Sequence, residues 1–207
     1  VYGIKKTKNV TEKMKLEPLT DYSNYKAICE DILIKYTNDN FIGTIIRPAT
    51  VCGFSPRLRL DVVVNLLTNL AYFKRKISVF GGSQLRPNIH IQDMIESYYA
   101  LLIADSKLIN NEAFNVGSEN ISVLEIANLV KSVVGNDISI ETSISNDNRS
   151  YHISSKKIEK ILGFKSKKTI RNAIEDLKNY FENNDVKDTF LNPRYINIST
   201  MKKINLR

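Results

Sequence analysis

Glycine is scarce in this chain, with eight residues in 207 where average usage of about 7% would give nearly twice as many. None of the eight falls into a Gly-x-Gly-x-x-Gly or Gly-x-x-Gly-x-x-Gly run. The sequence therefore carries no turn of the type that cradles a dinucleotide pyrophosphate at a helix N-terminus. Cysteine and histidine are scarcer still, two of each, and Cys29, Cys52, His90 and His152 lie far apart, so no metal site is indicated. Two cysteines do not make a disulfide scaffold; reduced thiols packed in the core are expected for both. No apolar run reaches the ~18 residues that a membrane-spanning helix requires, and the first residues do not read as a secretory signal. These absences point to a cytoplasmic globular protein.

What is present is enough to fold. A content of 43% hydrophobic residues can bury one sizeable core, or one and a half, at this length. The net charge of +8 suits an anionic partner. It is spread over scattered lysines without a basic stripe of interleaved aromatics, which favours simple solvation and disfavours nucleic acid.

Periodicity and punctuation predict a mixed α/β chain. Residues 1–20 read as a Lys-rich loop ending near Pro18. A helix over 21–36 and a strand over 41–46 follow, then a Pro- and Gly-punctuated loop to Pro56. A helix is expected over 60–73, with extended pieces at 77–80 and 88–91 around the Gly81-Gly82 turn. Asp93 is the predicted cap of a helix running to about 104. Strands are expected at 112–116 and 138–141, and the Ser122-x-x-Glu125 capping box opens a helix that Gly135 stops. Two more helices, 155–162 and 170–181, are separated by Gly163.

Tyr22-Ser-Asn-Tyr-Lys26 places a phenol and an ammonium one helical turn apart, just before a strand whose C-terminal end opens into Pro48-Ala49-Thr50-Val51. Open α/β sheets bind ligands at that end. A neighbouring ammonium favours the phenolate, the form that takes a proton. The chain has ten Tyr, and Tyr2/Lys6 and Tyr72/Lys76 share the spacing, so the spacing by itself equally describes a surface helix. Only the pair at 22 and 26 opens a helix with Ile28, Cys29, Ile32, Leu33 and Tyr36 at spacings of three and four.

Arg86, after the Gly-Gly turn and before Pro87, and Arg149, in a polar stretch before Tyr151, carry planar guanidiniums suited to a diphosphate. Each also reads as a surface arginine. Asn65 interrupts an apolar helix face, so its amide must find a backbone or ligand partner. His90 and Asp93 are read as structural rather than as a catalytic couple.

Six segments, in order, carry a resemblance. They are Val1-Tyr2-Gly3, Tyr22 with Lys26, Arg47-Pro48-Ala49-Thr50-Val51-Cys52-Gly53, the stretch from Val79 to Asp93, Phe114-Asn115-Val116-Gly117, and Arg149-Ser150-Tyr151 with Leu162-Gly163-Phe164 behind it. Together they resemble the C-terminal part of an extended short-chain dehydrogenase/reductase of the NAD-dependent nucleotide-sugar epimerase/dehydratase group. Where that family has Val-Tyr-Gly after the strand, this chain has Val51-Cys52-Gly53.

The resemblance implies the last strands of a Rossmann-type parallel sheet with a smaller α/β substrate-binding lobe. Residues 1–60 would be the remaining part of the NAD-binding domain, and 61–207 mainly the nucleotide-sugar lobe, with segments near 77–117 returning to the sheet. It further implies Tyr22 and Lys26 as catalytic and NAD-contacting residues, Pro48 and Val51 lining the nicotinamide, and Asn65, Arg86 and Arg149 on the substrate. NAD is the implied cofactor, with NADP open, and a nucleotide-diphosphate sugar the implied substrate. The implied reaction is epimerisation through a transient ketosugar; dehydration, reduction, or a non-catalytic binding role stay open. A homodimer of the intact protein is implied, with the family's Gly-rich half and its catalytic Ser/Thr lying upstream of Val1.

Overall fold

A computed structural model of the chain describes residues 1–5, 7, 9–144, 150 and 152–205. The first helix, α1 (Asp21–Tyr36), starts at a capping box in which the Thr20 and Ser23 side chains each accept from the other's backbone N–H. The strand β1 (Thr44–Pro48) begins three residues later than the apolar run suggests. The reason is local: Phe41 and Asn38 exchange backbone hydrogen bonds in a tight turn of their own.

The predicted loop after β1 contains a second strand, β2 (Thr50–Cys52). At Ala49 the backbone N–H still bonds Val116 O at 2.7 Å, after which the chain leaves that neighbour and pairs elsewhere. There follow α2 (Val63–Lys74), β3 (Lys76–Phe80), β4 (Leu85–His90), α3 (Ile91–Leu102), the single turn α4 (Ser106–Ile109) and β5 (Glu112–Val116). The remainder is β6 (Glu119–Ser122), α5 (Val123–Val134), β7 (Ser139–Ser143), α6 (Lys156–Leu162), α7 (Ile170–Asn183), a 3-10 turn at Pro193–Tyr195 and α8 (Asn197–Lys203). The capping box at Ser122 and Glu125 and the left-handed Gly163 after α6 stand where the sequence puts them.

Among the described residues the strands form three small sheets. β1 and β5 pair in parallel, Thr44 opposite Glu112 and Pro48 opposite Val116. β2 lies parallel to β4, which carries β6 antiparallel on its other side. β3 and β7 form a third, parallel pair, so the two extended pieces around Gly81-Gly82 belong to different sheets and make no hairpin.

The apolar residues gather correspondingly. One cluster joins α2, β3, α5, β7 and the start of α7 around Leu67, Ile77, Ile126 and Ile174. Another joins the N-terminal segment, β1, β5, α3 and α6 around Phe114, Val116, Ile89 and Ile158. Leu60, Phe181 and Tyr195 anchor a third beneath the C-terminal turn.

Two expectations fail here for physical reasons. The cap of α3 is His90, whose Nδ1 accepts from Gln92 N at 3.1 Å. Asp93 sits inside the helix, buried, with its carboxylate accepting from the backbone N–H groups of Lys167 and Lys168. Cys29 is exposed while Cys52 is buried; α1, though periodic, contains no buried residue, so its cysteine has no core to enter.

Candidate functional site

α1 and β1 are consecutive and joined by a short reversal, and Glu30 of the helix holds Arg47 of the strand. Tyr22 lies eight residues before Glu30, about 12 Å along the axis at the helical rise. The N-terminal end of α1 therefore projects past the C-terminal end of β1. There Lys26 Nζ stands 5.1 Å from the centre of the Tyr22 ring, and Tyr22 is 71% exposed. A proton-carrying phenol and an ammonium thus meet, open to solvent, at the ligand end of a parallel strand pair.

Behind them lies a buried polar network. Arg47 Nε donates to both oxygens of Glu30 (3.0 and 3.1 Å) and Nη2 donates to Oε2 (2.6 Å). Its Nη1 donates to the Tyr2 hydroxyl at 2.8 Å and the Glu12 carbonyl at 3.2 Å. Tyr2 in turn donates to Asn115 Oδ1 at 2.6 Å. Burial pushes the Tyr2 phenol up, outweighing the opposing pull of Arg47 and Asn115. Burial alone would lower the Arg47 guanidinium, but its bonds to Glu30 and Tyr2 turn the shift upward. Sequence reading overlooked Glu30; the available signal was its place one turn after Lys26 on the stripe of Tyr22 and Lys26.

The loop residues take up different surroundings. Pro48 is exposed at the end of β1 and Val51 half-buried in β2. Gly53 has φ +99°, and a Cβ there would stand 3.2 Å from His90 Nε2, so only glycine fits. His90, with Nδ1 accepting, donates from Nε2 to Asp176 Oδ2 at 3.0 Å. Cys52 bonds Ile89 O through Sγ at 3.4 Å, and burial, aided by Glu119 and Asp93, pushes its thiol up to about 12. It is an inert core group.

Asn65 is buried, its amide engaged with Gly53 and with the Arg59 carbonyl. Arg86 lies partly buried on β4, donating to the Leu85 carbonyl at 3.1 Å and making further contacts. Arg149 lies outside the described residues. Its neighbour in the chain, Ser150, accepts through Oγ from the backbone N–H of Leu85 at 3.0 Å. Phe80, 63% exposed at the end of β3, is a further aromatic that the sequence did not single out. Two cavities, of about 460 and 320 Å³, lie elsewhere and are not lined by Tyr22, Lys26 or Arg86. Among the described residues no cluster of His, Cys, Asp and Glu could hold a metal, and no helix is long and apolar enough to cross a membrane.

Parallel strand pairs flanked by helices are the architecture of α/β proteins, which bind their ligands at the carboxyl ends of the strands. The UDP-glucuronic acid 4-epimerase of Bacillus cereus, solved with UDP-glucuronic acid and NAD, superposes with a TM-score of 0.77 at 24% identity over 88% of this chain and 58% of that one. The dTDP-glucose 4,6-dehydratase of Bacillus anthracis, solved with NAD, superposes with a TM-score of 0.76 at 23% identity, over 89% of this chain and 60% of that one. These likenesses establish the fold.

The chain belongs to the NAD dependent epimerase/dehydratase family, whose model matches residues 1–117. It is 27% identical over 195 residues to the UDP-glucose 4-epimerase of Lactobacillus helveticus, covering 80% of this chain and 56% of that enzyme. It is 29% identical over 116 residues to the GDP-6-deoxy-D-talose 4-dehydrogenase of Aggregatibacter actinomycetemcomitans, covering 56% of this chain and 38% of the relative. The chain thus spans about half, or less, of the curated relatives it matches.

Proposed function

We propose that the full-length protein carries out NAD-dependent modification of a nucleotide-diphosphate sugar, by epimerisation through a transient ketosugar. The observation that carries this is the exposed contact between Lys26 and Tyr22 beyond the carboxyl end of β1. The names of the relatives, two 4-epimerases and a 4-dehydrogenase among those given above, support the same chemistry at a sugar hydroxyl. Dehydration and reduction begin with the same proton and hydride movements and are the alternative outcomes.

The residues present fit the nicotinamide end of NAD: an exposed phenol and ammonium at a strand end, followed by Pro48 and Val51. NAD, when bound, would accept and return the hydride of the sugar carbinol. Tyr22 takes the proton of that hydroxyl and gives it back to the ketone oxygen. Lys26 holds positive charge over the Tyr22 ring and would bind the ribose. Arg86 and Arg149 grip the diphosphate, for which planar guanidiniums are suited. Asn65 stands as a weaker substrate candidate behind the Gly53 loop.

Residues 1–60 are read as the remaining part of the NAD-binding domain and 61–207 mainly as the nucleotide-sugar lobe. The clustering of Phe114, Val116 and Ile89 with the N-terminal segment supports a return of 77–117 to the sheet. The intact protein is read as a cytoplasmic homodimer. Support for the dimer comes from α1, where Tyr25, Ile28, Ile32 and Tyr36 form an exposed apolar stripe.

The test is Tyr22→Phe in the full-length protein. Turnover of the nucleotide sugar is expected to be lost while its binding stays near wild type, because one oxygen and little contact area are removed. Near wild-type turnover would overturn the assignment of the base.

A further inference from the structure

We propose that Glu30 and Arg47 are positioning residues that fix the rotation of α1 about its own axis and so set where Tyr22 and Lys26 point. This deepens the reading above and rests on Tyr22 and Lys26 being the reacting pair.

Within the chain α1 contains no buried residue; its inward face is the half-buried stripe of Ser23, Ala27, Glu30 and Leu33, in which small and aliphatic side chains set the angle of the helix less sharply than a charged, directional contact does. Among the described residues, Glu30 is the one α1 side chain hydrogen-bonded to a strand; the bonds of Ser23 are local to the cap. The contact is also directional. A planar guanidinium meeting a carboxylate through two donors on one edge fixes an angle as well as a distance. Both side chains are 12% exposed, so water competes weakly for them.

The anchor is itself held. Arg47 stands opposite Asn115 in the β1–β5 ladder, and its Nη1 is held by Tyr2 and by the Glu12 carbonyl. Asn115 closes the frame, donating from Nδ2 to Val10 O at 3.1 Å and from its backbone to Glu12 Oε1 at 2.8 Å. Tyr2 and Glu12, braced in turn by Asn115, therefore hold the guanidinium that Glu30 grips.

Geometry carries this constraint to the reacting groups. Tyr22, Lys26 and Glu30 are spaced four apart, on one stripe of the helix. A rotation of about 20° moves a group at a helix radius of about 5–6 Å by roughly 2 Å. A misplacement of about 1 Å can cost on the order of 100-fold in rate. A largely shielded ion pair adds little net stability over an apolar replacement, whereas its fork fixes an angle, so the pair is better explained by orientation than by strength.

The experiment uses Glu30→Gln and Arg47→Lys in the full-length protein, with Tyr22→Phe as reference. Glu30→Gln removes the charge and Arg47→Lys removes the second edge of the fork. Each is expected to lower kcat at least 30-fold and to change KM for the nucleotide sugar less than twofold. Hydrogen exchange on the same variants is expected to quicken at least tenfold for α1 amides and to stay unchanged in α5 and α7.

Equal quickening in all three helices would show a purely structural pair and overturn the proposal. Full turnover in Glu30→Gln beside a dead Tyr22→Phe would overturn the positioning role and leave the site reading intact. Turnover surviving Tyr22→Phe would overturn the site reading and the positioning role with it.

Discussion

Asn65 grips both backbone groups of Gly53: its Oδ1 accepts from Gly53 N at 3.0 Å and its Nδ2 donates to Gly53 O at 3.1 Å, while a second amide hydrogen reaches Arg59 O at 2.8 Å. A side chain in α2 thereby closes the loop that leaves β2. Replacing Asn65 with Leu strands these buried backbone groups, and each such loss costs about 1–3 kcal/mol. Urea unfolding of Asn65→Leu is expected to show a stability loss of at least that size. Unchanged stability together with weakened nucleotide-sugar binding would instead make the amide a ligand contact.

Arg86 and Arg149 lead to a prediction about charge. Truncation of either to Ala in the full-length protein is expected to weaken nucleoside-diphosphate binding by about 1.5–3 kcal/mol, the range for hydrogen bonds to charged groups. The loss should follow the diphosphate and be similar across whichever bases the wild type accepts. Calorimetry with the free diphosphate checks it, and unchanged affinity with both removed would clear these arginines of the role.

The 207-residue chain by itself is expected to show no saturable NAD binding. It contains no Gly-rich pyrophosphate turn, and an exposed Tyr–Lys pair offers few contacts to the rest of the dinucleotide. A saturable calorimetric titration with NAD would contradict this.

Cys52 makes stability depend on alkaline pH. Its thiol rises from an ordinary 9.0 to about 12 in the fold, mainly through burial. A group raised in the folded state stabilises fully below its unfolded pKa, and that stabilisation is lost as pH climbs toward the folded value. Between pH 9 and 10 the unfolded chain sheds this proton and the folded chain keeps it. Unfolding free energy is therefore expected to approach a fall of about 1.4 kcal/mol per pH unit from this group. Urea curves at stepped pH should show the slope in wild type and a shallower one in Cys52→Ala. Below pH 9 the two proteins should run parallel.

Local signals in the chain were enough for much of the fold. The helix at 21–36, the strand at 112–116, the Ser122–Glu125 box and the stops at Gly135 and Gly163 depend on residues within a few positions of each other, and the structure has them there. The same is true of Tyr22 and Lys26, whose proximity is fixed by one turn of helix. Asp93 and Thr50–Cys52 were misread because distant partners outcompete local preference. The Lys167 and Lys168 amides draw the carboxylate away from capping, and β4 converts a Pro- and Gly-flanked loop into a strand. The exposure of Cys29 was equally out of reach, since a periodic helix announces an apolar face without saying what will cover it.

The sequence by itself determined the family, the helix that carries the phenol and ammonium, and the class of chemistry those groups can perform, because each is written in neighbouring residues. Only the tertiary structure decided that Glu30 meets Arg47 across 17 positions, that Tyr2 meets Asn115 across 113, and that Asn65 meets Gly53 across 12. Those bonds join residues whose separation along the chain carries no information about their distance in space. Burial then gives them their effect, since a guanidinium, a phenol and an amide removed from water must each satisfy their hydrogen bonds within the protein.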